Sequence, residues 1–419
     1  MKKRSQVLVS WSLLCALSLL APITTQTIAS QAPSANPPRV FLFDPQKLLE
    51  TKRRVVAGDK SLNPALAKLE ADAKAALKAE PLSVVNKEVT PPSGDKHDYM
   101  SQAPYWWPNP DTPNGLPYIR RDGERNPAIE KLPDHQNFNK LMSLTETLAL
   151  AYYFKGDEAY AAKTTELLRV WFLDPATRMN PHLNYGQAIL GVNDGRGIGI
   201  IETAGLPKVV DALGLLSGAK AWTKADQQGL ETWFEKYLQW LTESKHGRDE
   251  AAAKNNHGTY YDVQVASFAF FVGKRELAVK VLRESRQKRI AAQVEPDGRQ
   301  PLELDRTKGW GYSVMNLRGF FELAALGERA GVDLWNFKTP DGRSIRQALD
   351  WLVPFATGEQ KWPYQQITKW SPTEVAPLLR RAAIKYHDRR YEDVIAKISG
   401  LVPADRIHLI YPPASAGSK

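Results

Sequence analysis

Cysteine is almost absent from this chain of 419 residues, which contains a single one, Cys15. A disulfide within the chain needs two cysteines, so no intrachain disulfide cross-links the fold. Zinc sites built from several cysteine thiolates are excluded for the same reason. The histidine pair of a helical zinc motif is missing too, because Tyr261 stands four residues after His257. We therefore expect no metal and no other cofactor.

Long apolar runs are equally scarce, and the clearest one lies at the N-terminus. Residues 7–20 are mostly apolar, follow three basic residues at 2–4, and precede small residues at 29 and 30. This order is typical of a secretory signal peptide, whereas a membrane anchor needs a longer apolar span. We predict a signal peptide over residues 1–30, and a mature protein that is periplasmic or secreted and has no membrane contact.

Acidic residues are too few to balance the basic ones, and the net charge is +10. Three of these positive charges lie in the predicted signal peptide, so the mature chain carries about +7. A positive field attracts polyanions into clefts. Because the protein is predicted to be exported, an acidic polysaccharide is a better partner than nucleic acid. The alternative is a basic surface that only aids solubility. The oligomeric state is left open.

Strand patterns are also rare, and apolar residues instead recur at helical spacing. The predicted helices cover residues 45–57, 63–79, 138–152, 158–172, 196–216, 224–244, 259–272, 275–290, 312–330, 343–356 and 372–386. Short breaks such as Gly156-Asp157 and Gly273-Lys274 join neighbouring segments, which favours antiparallel helical hairpins.

This series of hairpins predicts an all-α fold, an incomplete (α/α) toroid of about six to seven helical hairpins. An α-solenoid is the alternative, but the chain has no self-similarity at a period of about 34 or 40 residues. We expect a flexible lead-in over residues 31–39 and a single toroid domain over residues 40–419. The segment 91–133 is rich in Pro, Gly, Asp, Asn and aromatic residues, and we predict a loop over one end of the toroid, bordering a cleft.

Two short segments carry the residue types that proton transfer needs. Asn256 and His257 precede a helical pattern, where a helix N-terminus favours an anion and His exchanges protons near neutrality. The second segment contains Arg306, whose guanidinium can bind a carboxylate with two donors, and Tyr312 at the start of the next helix. The structural alternatives are a helix cap for the Asn, and a salt bridge from Arg306 to Glu303.

The order Asn-His, then Arg, then Tyr-Ser on the next helix resembles that of the alginate-lyase-like polysaccharide lyases. Further similarity lies in the Tyr-Trp-Trp-Pro-Asn-Pro segment at 105–110 and in the Gly-rich segment at 195–202. The resemblance covers about residues 90–370, and it is stronger to polysaccharide lyase family 38 than to family 5. It implies an enzyme that cleaves a 1,4-linked uronic-acid polymer, alginate or glucuronan, by β-elimination on a helical toroid.

The resemblance also implies roles for individual residues. β-Elimination removes the proton at C5 of a uronate, which requires neutralisation of the adjacent carboxylate. By resemblance, Asn256 and Arg306 would neutralise it, and His257 and Tyr312 would share the roles of base and acid. Either Tyr312 serves as both, or His257 is the base and Tyr312 the acid. The remaining matched positions would bind substrate: Trp106, Trp107, Tyr185, Gln187, Asn193, Arg196 and Asn316.

Two other functions compete with this one. A glycoside hydrolase on the same toroid would need two suitably spaced carboxylates in the cleft, for which Asp194, Glu303 and Asp305 are available. A non-catalytic binder of anionic glycans would bind substrate without turnover. One departure from the family pattern is a pair of glycines, Gly309 and Gly311, in the turn between Arg306 and Tyr312.

Overall fold

A computed structural model of the protein describes residues 36–398 and 400–412, and these residues belong to one compact unit. The predicted signal peptide, residues 1–30, and most of the predicted lead-in lie outside the described residues. Within the described ranges, no helix is long and apolar enough to cross a membrane.

The described chain is mainly helical, and the predicted all-α class is confirmed. Its α-helices, in chain order, are α1 Pro45–Val56, α2 Asn63–Ala76, α3 Asp134–Lys155, α4 Glu158–Leu168, α5 Leu206–Leu215, α6 Lys224–Glu243, α7 Lys245–Ala251, α8 Asn256–Phe271, α9 Arg275–Ser285, α10 Pro301–Leu304, α11 Gly309–Ala330, α12 Ile345–Ala356, α13 Ala376–Lys385, α14 Arg390–Lys397 and α15 Ile407–Ile410.

The helices form the two layers of an (α/α) toroid. Helices α3, α5, α8 and α11 contact one another in that order and form the inner layer. Outer helices pack on them, with α4 on α3, α9 on α8 and α12 on α11. Helix α8 is buried on every side from Gly258 to Phe271, which is typical of a helix in the centre of a large core. The inner layer therefore gives the site a rigid wall.

The links between paired helices follow from local residue chemistry. Gly156 ends α3 in the left-handed conformation with φ 71°, which glycine adopts without steric cost. Asp157 then caps α4, since its side chain accepts a hydrogen bond from the backbone N of Ala159. Both neighbours of this break were predicted as helices, and the break forces them to run antiparallel.

The segment 91–133 is mostly irregular, but it contains three short strands. Strand β1, Met100–Gln102, pairs in parallel with β4, Tyr185–Ala188, while β2, Trp106–Trp107, pairs antiparallel with β3, Ile119–Arg120. A 3₁₀ helix, Pro127–Lys131, leads into α3. These pairings fix the aromatic segment against the end of the toroid.

The predicted helix over residues 196–216 is wrong in its first half. Gly197–Thr203 forms a 3₁₀ helix, and α5 begins only at Leu206. The glycines in this stretch allow close approach to other backbone, because a Cβ on Gly199 would lie 2.6 Å from the carbonyl carbon of Gly186. The close contact with β4 thus keeps Gly197–Thr203 from forming a regular α-helix.

Candidate active site

A cavity of about 610 Å³ opens between the segment 91–133 and the N-terminal ends of the inner helices α8 and α11. Its walls come from β1 and β2, the start of α3, β4, the 3₁₀ helix Gly197–Thr203, the α7–α8 turn and the start of α11. Seven of the predicted site residues line it: Trp106, Gln187, Arg196, Asn256, His257, Arg306 and Tyr312. Residues more than 200 positions apart in the chain therefore meet here.

Asn256 is held at the first position of α8 by a buried carboxylate. Its backbone N and its side-chain Nδ2 donate hydrogen bonds of 2.7 Å to the two carboxylate oxygens of Glu303. Burial raises the pKa of Glu303, and the two hydrogen bonds from Asn256 oppose that rise. Glu303 thus orients the amide of Asn256, and it is not the ion-pair partner of Arg306 that the sequence allowed.

His257 pairs with a second buried carboxylate. Nδ1 of His257 lies 2.7 Å from Oε1 of Glu250, whose side chain is 1% exposed, against 15% for His257. A carboxylate accepts hydrogen bonds, so this contact places a proton on Nδ1. The opposite ring nitrogen, Nε2, is then the acceptor in the neutral imidazole.

The turn between α7 and α8 fixes the direction of His257. Arg289 is buried and forms two hydrogen bonds with Asp262. The same guanidinium donates to the carbonyl oxygens of Ala251 and Ala253, at 2.8 and 2.7 Å. Gly258 makes this clamp possible, because a Cβ there would lie 2.1 Å from the oxygen of Ala253 and 2.3 Å from Nη1 of Arg289.

Arg306 is held by Asp122, which belongs to the segment 91–133. Its Nη2 lies 2.8 Å from Oδ1 of Asp122, and its Nε also donates to that carboxylate. Burial favours the neutral acid, but Arg306 outweighs it and holds the pKa of Asp122 well below its usual range. The ion pair ties the aromatic segment to the turn between α10 and α11.

Tyr312 lies over this ion pair. The guanidinium of Arg306 sits 3.9 Å from the centre of the Tyr312 ring, and its Nη2 donates to the phenol oxygen at 2.9 Å. The phenol in turn donates to the hydroxyl of Tyr105 at 3.0 Å. Burial and the hydrogen bond to Tyr105 raise the pKa of Tyr312, while Arg306 opposes the rise. The phenol is therefore protonated at neutral pH.

Arg196 provides a second positive charge on the cavity wall. Its Nη2 donates to Oε1 of Gln187 at 2.9 Å, and its guanidinium lies 5.9 Å from the ring centre of Trp106. Burial lowers the pKa of Arg196 to about 10. Gln187 adopts the left-handed region with φ 51°, an uncommon conformation for a non-glycine residue. These three side chains form one continuous polar and aromatic surface.

Four predicted substrate-binding residues do not line the cavity. Asn316 is fully buried and donates to Gln293 and Gln300 at 2.9 Å each, so it belongs to the interior of α11. Asn193 accepts a bond from the backbone of Ile189 within its own turn. The other two are Tyr185 and Trp107, and the indole of Trp107 donates to the backbone oxygen of Glu124.

The carboxylates available to a hydrolase are not paired in the cavity. Glu303 is occupied by Asn256, while Asp194 and Asp305 are exposed and do not line the cavity. Among the cavity-lining residues of the described chain, Glu202 is the sole carboxylate. It accepts hydrogen bonds from Tyr99 and Ser101. The site therefore has the donors for carboxylate binding and lacks the acid pair of a hydrolase.

Three residues that shape the site were not predicted from the sequence. Asp122 and Glu250 had no motif to mark them, because each acts through a contact with a residue elsewhere in the fold. Tyr105 lies in the aromatic segment that was singled out, but its hydroxyl contact with Tyr312 spans 207 positions. In the described ranges, no three His, Cys, Asp or Glu side chains converge as a metal site would require.

The chain is similar to proteins of known family. The alginate lyase family model matches residues 83–362. A crystal structure of an alginate lyase from Bacteroides ovatus is 43% identical, with a TM-score of 0.86, and the match covers 89% of this chain and 99% of that one. No match is found among curated protein sequences.

A more distant structure shares the fold. Alginate lyase A1-III from Sphingomonas species A1 is 15% identical, with a TM-score of 0.55, over 88% of this chain and 97% of that one. A tetrasaccharide complex of a variant of that enzyme matches with a TM-score of 0.54 and 15% identity, over 91% and 97% of the two chains. The family model, the Bacteroides structure and the cavity together show that the chain belongs to the alginate lyase family and is a polysaccharide lyase.

Proposed function

We propose that the protein cleaves a 1,4-linked polyuronate, alginate or glucuronan, by β-elimination in the cavity between the segment 91–133 and the inner helices. The observation that carries this proposal is the meeting of Tyr312 with Arg306 and of His257 with Glu250 around one cavity. An amide, two guanidinium groups, an imidazole and a phenol are the groups that this reaction requires.

Neutralisation of the uronate carboxylate is the first requirement, because removal of the C5 proton adds negative charge beside it. Asn256 and Arg306 take this role. The amide of Asn256 is already oriented by Glu303, and Arg306 is oriented by Asp122. Preorganised donors need little rearrangement as the charge develops, which is how such groups lower a barrier.

Proton transfer completes the reaction. A base takes the C5 proton, the electron pair forms the C4–C5 double bond, the C4–O bond breaks, and an acid gives a proton to the departing oxygen. Tyr312 is the acid, since its raised pKa keeps the phenol protonated at neutral pH.

The base depends on the stereochemistry of the uronate. Where the C5 proton and the leaving oxygen lie on the same face, Tyr312 must first release its phenol proton to solvent. The phenolate, held by the 2.9 Å contact with Nη2 of Arg306, then takes the C5 proton and returns it to the departing oxygen. Where they lie on opposite faces, His257 takes the proton through Nε2 and Tyr312 supplies the other. The stereochemistry of the polymer that is cleaved therefore determines which residue acts as the base.

Arg196, Gln187 and Trp106 bind a neighbouring uronate of the same polymer. Arg196 is largely buried, and a buried guanidinium gains from an anionic partner. Trp106 offers an aromatic face for a sugar ring next to that charge. Cleavage takes place outside the cytoplasm, after removal of the signal peptide proposed over residues 1–30. The partner is then an acidic polysaccharide and not nucleic acid.

Incubation with polymannuronate, polyguluronate, glucuronan and hyaluronan tests the proposal. We expect a rise in far-ultraviolet absorbance, from the new double bond, with at least one of the first three polymers. Tyr312→Phe and His257→Ala, checked by circular dichroism for an intact fold, identify the groups that carry it. Near-parental activity of both variants on every cleaved polymer would contradict the assigned roles.

A further inference from the structure

Glu250 is a buried carboxylate aimed at a cavity residue, and the reaction outlined above gives it no task. Its contact with Nδ1 of His257 is the one side-chain hydrogen bond found for it among the described residues. Burial of a carboxylate is costly unless the group is paired. A histidine that faces a cavity is therefore the partner that keeps Glu250 in place.

The pairing has a defined chemical consequence for His257. A carboxylate only accepts hydrogen bonds, so Nδ1 carries the proton and Nε2 holds the lone pair. We infer that Glu250 is a positioning residue, which fixes His257 in the Nδ1–H tautomer and presents Nε2 to the uronate. Its negative charge also stabilises the imidazolium that forms when His257 accepts a proton. This inference rests on the proposed function.

The surroundings hold this geometry rigidly. Glu250 lies in the short helix α7, and the 3₁₀ helix Gly197–Thr203 packs closely against it. A Cβ on Gly197 would lie 2.7 Å from the oxygen of His246 and 3.3 Å from the backbone N of Glu250. On the other side, Arg289 clamps the carbonyl oxygens of the α7–α8 turn. These contacts fix the backbone from which both side chains of the pair extend.

Charged side chains interact with both members of the pair. The positive charge of Arg196 interacts with Glu250 across the cavity wall. The carboxylate of Glu303, from α10, also interacts with His257. Glu250 thus balances the positive charge of Arg196 in the resting enzyme, and that of His257 after proton transfer.

Glu250→Leu in the full chain tests the inference, with Glu322→Leu as the matched control. Leu removes both the charge and the hydrogen-bond acceptor at similar size. Glu322 is also a buried carboxylate, but it lies in α11 and is not the partner of His257. The ¹⁵N resonances of the His257 ring, assigned by their loss in His257→Asn, report the tautomer directly. We expect the Nδ1–H pattern in the parent and in the control, and a shift toward Nε2–H in Glu250→Leu, which has no acceptor for Nδ1–H.

The kcat and KM of the same variant provide a second test of the role of Glu250. On a polymer that His257→Ala no longer cleaves, we expect kcat of Glu250→Leu to fall roughly 10- to 100-fold while KM changes little. Retention of the parental tautomer in Glu250→Leu, or an Nε2–H tautomer in the parent, would overturn the inference. A parent that forms no unsaturated product removes the proposed function, and the tautomer measurement still decides the role of Glu250.

Discussion

Replacement of Tyr312 by Phe is the perturbation whose effect the structure defines most closely. It removes one oxygen, and with it the hydrogen bonds from Arg306 and to Tyr105. The ring keeps its place, because its face rests on the guanidinium of Arg306 at 3.9 Å. The change therefore deletes the proton donor and leaves the packing of the site intact.

The expected loss of activity is much larger than the expected loss of stability, so the variant separates the two effects. Loss of an acid–base group lowers kcat/KM by about 10²–10⁴-fold, or about 3–5 kcal/mol of transition-state stabilisation. Each lost hydrogen bond contributes about 0.5–1.5 kcal/mol to folding, and water in the cavity replaces part of it. We expect the free energy of unfolding to fall by about 1 kcal/mol or less.

Initial rates from far-ultraviolet absorbance, together with urea unfolding followed by circular dichroism, measure both quantities. Tyr105→Phe is the matched control, since it removes a partner of the Tyr312 phenol without removing the phenol itself. We expect its kcat/KM to stay within about tenfold of the parent. Equal losses in the two variants would refute the assignment of Tyr312 as the proton donor.

The remaining predictions concern charge, packing and helix propensity. Asp122→Asn lowers the free energy of unfolding at pH 7 by about 1.5–3 kcal/mol, since it removes hydrogen bonds between charged groups. Because the pKa of Asp122 is depressed in the folded state, its contribution is complete above the unfolded value of about 3.9 and is lost as the pH falls through the folded value. Gly258→Ala destabilises the protein by about 1–3 kcal/mol or more through its collision with the α7–α8 turn. Gly311→Ala stabilises it by about 0.8–1 kcal/mol, because Gly311 lies within α11 and no atom lies within 4 Å of its added Cβ.

Urea unfolding at several pH values measures all three variants. The difference between parent and Asp122→Asn must shrink toward acid pH, and a constant difference would contradict the ion-pair argument. Gly258→Ala and Gly311→Ala form a matched pair, since both add one methyl group to a helical glycine near the site. The same sign of effect for the two would contradict the steric argument.

The sequence predicted the long helices, and it singled out four residues that line one cavity. Amphipathic spacing and the breaks at Gly156 and Gly273 depend on local chemistry, which sequence retains. Asn256, His257, Arg306 and Tyr312 were each identified, and the structure brings all four to one cavity. They stand at the starts of α8 and α11 or just before them, where the end of the toroid exposes them.

Contacts between residues that lie far apart in the chain could not be predicted from the sequence. The pair Arg306–Asp122 spans 184 positions, so the nearer acid, Glu303, was the natural candidate. Asn316 was predicted to bind substrate, but one helical turn after Tyr312 it is already buried and donates hydrogen bonds to Gln293 and Gln300. At the end of a toroid, a helix passes from exposed to buried within a single turn. The spacing of apolar residues in the sequence does not show at which residue this happens.

The mass of the oligosaccharides released from polymannuronate, polyguluronate and glucuronan tests the central claim most directly. β-Elimination adds no water, so the account predicts products whose new non-reducing end is one water lighter than a saturated uronate, together with far-ultraviolet absorbance. Saturated products that have gained a water at each cleavage would contradict it and assign the cavity to hydrolysis.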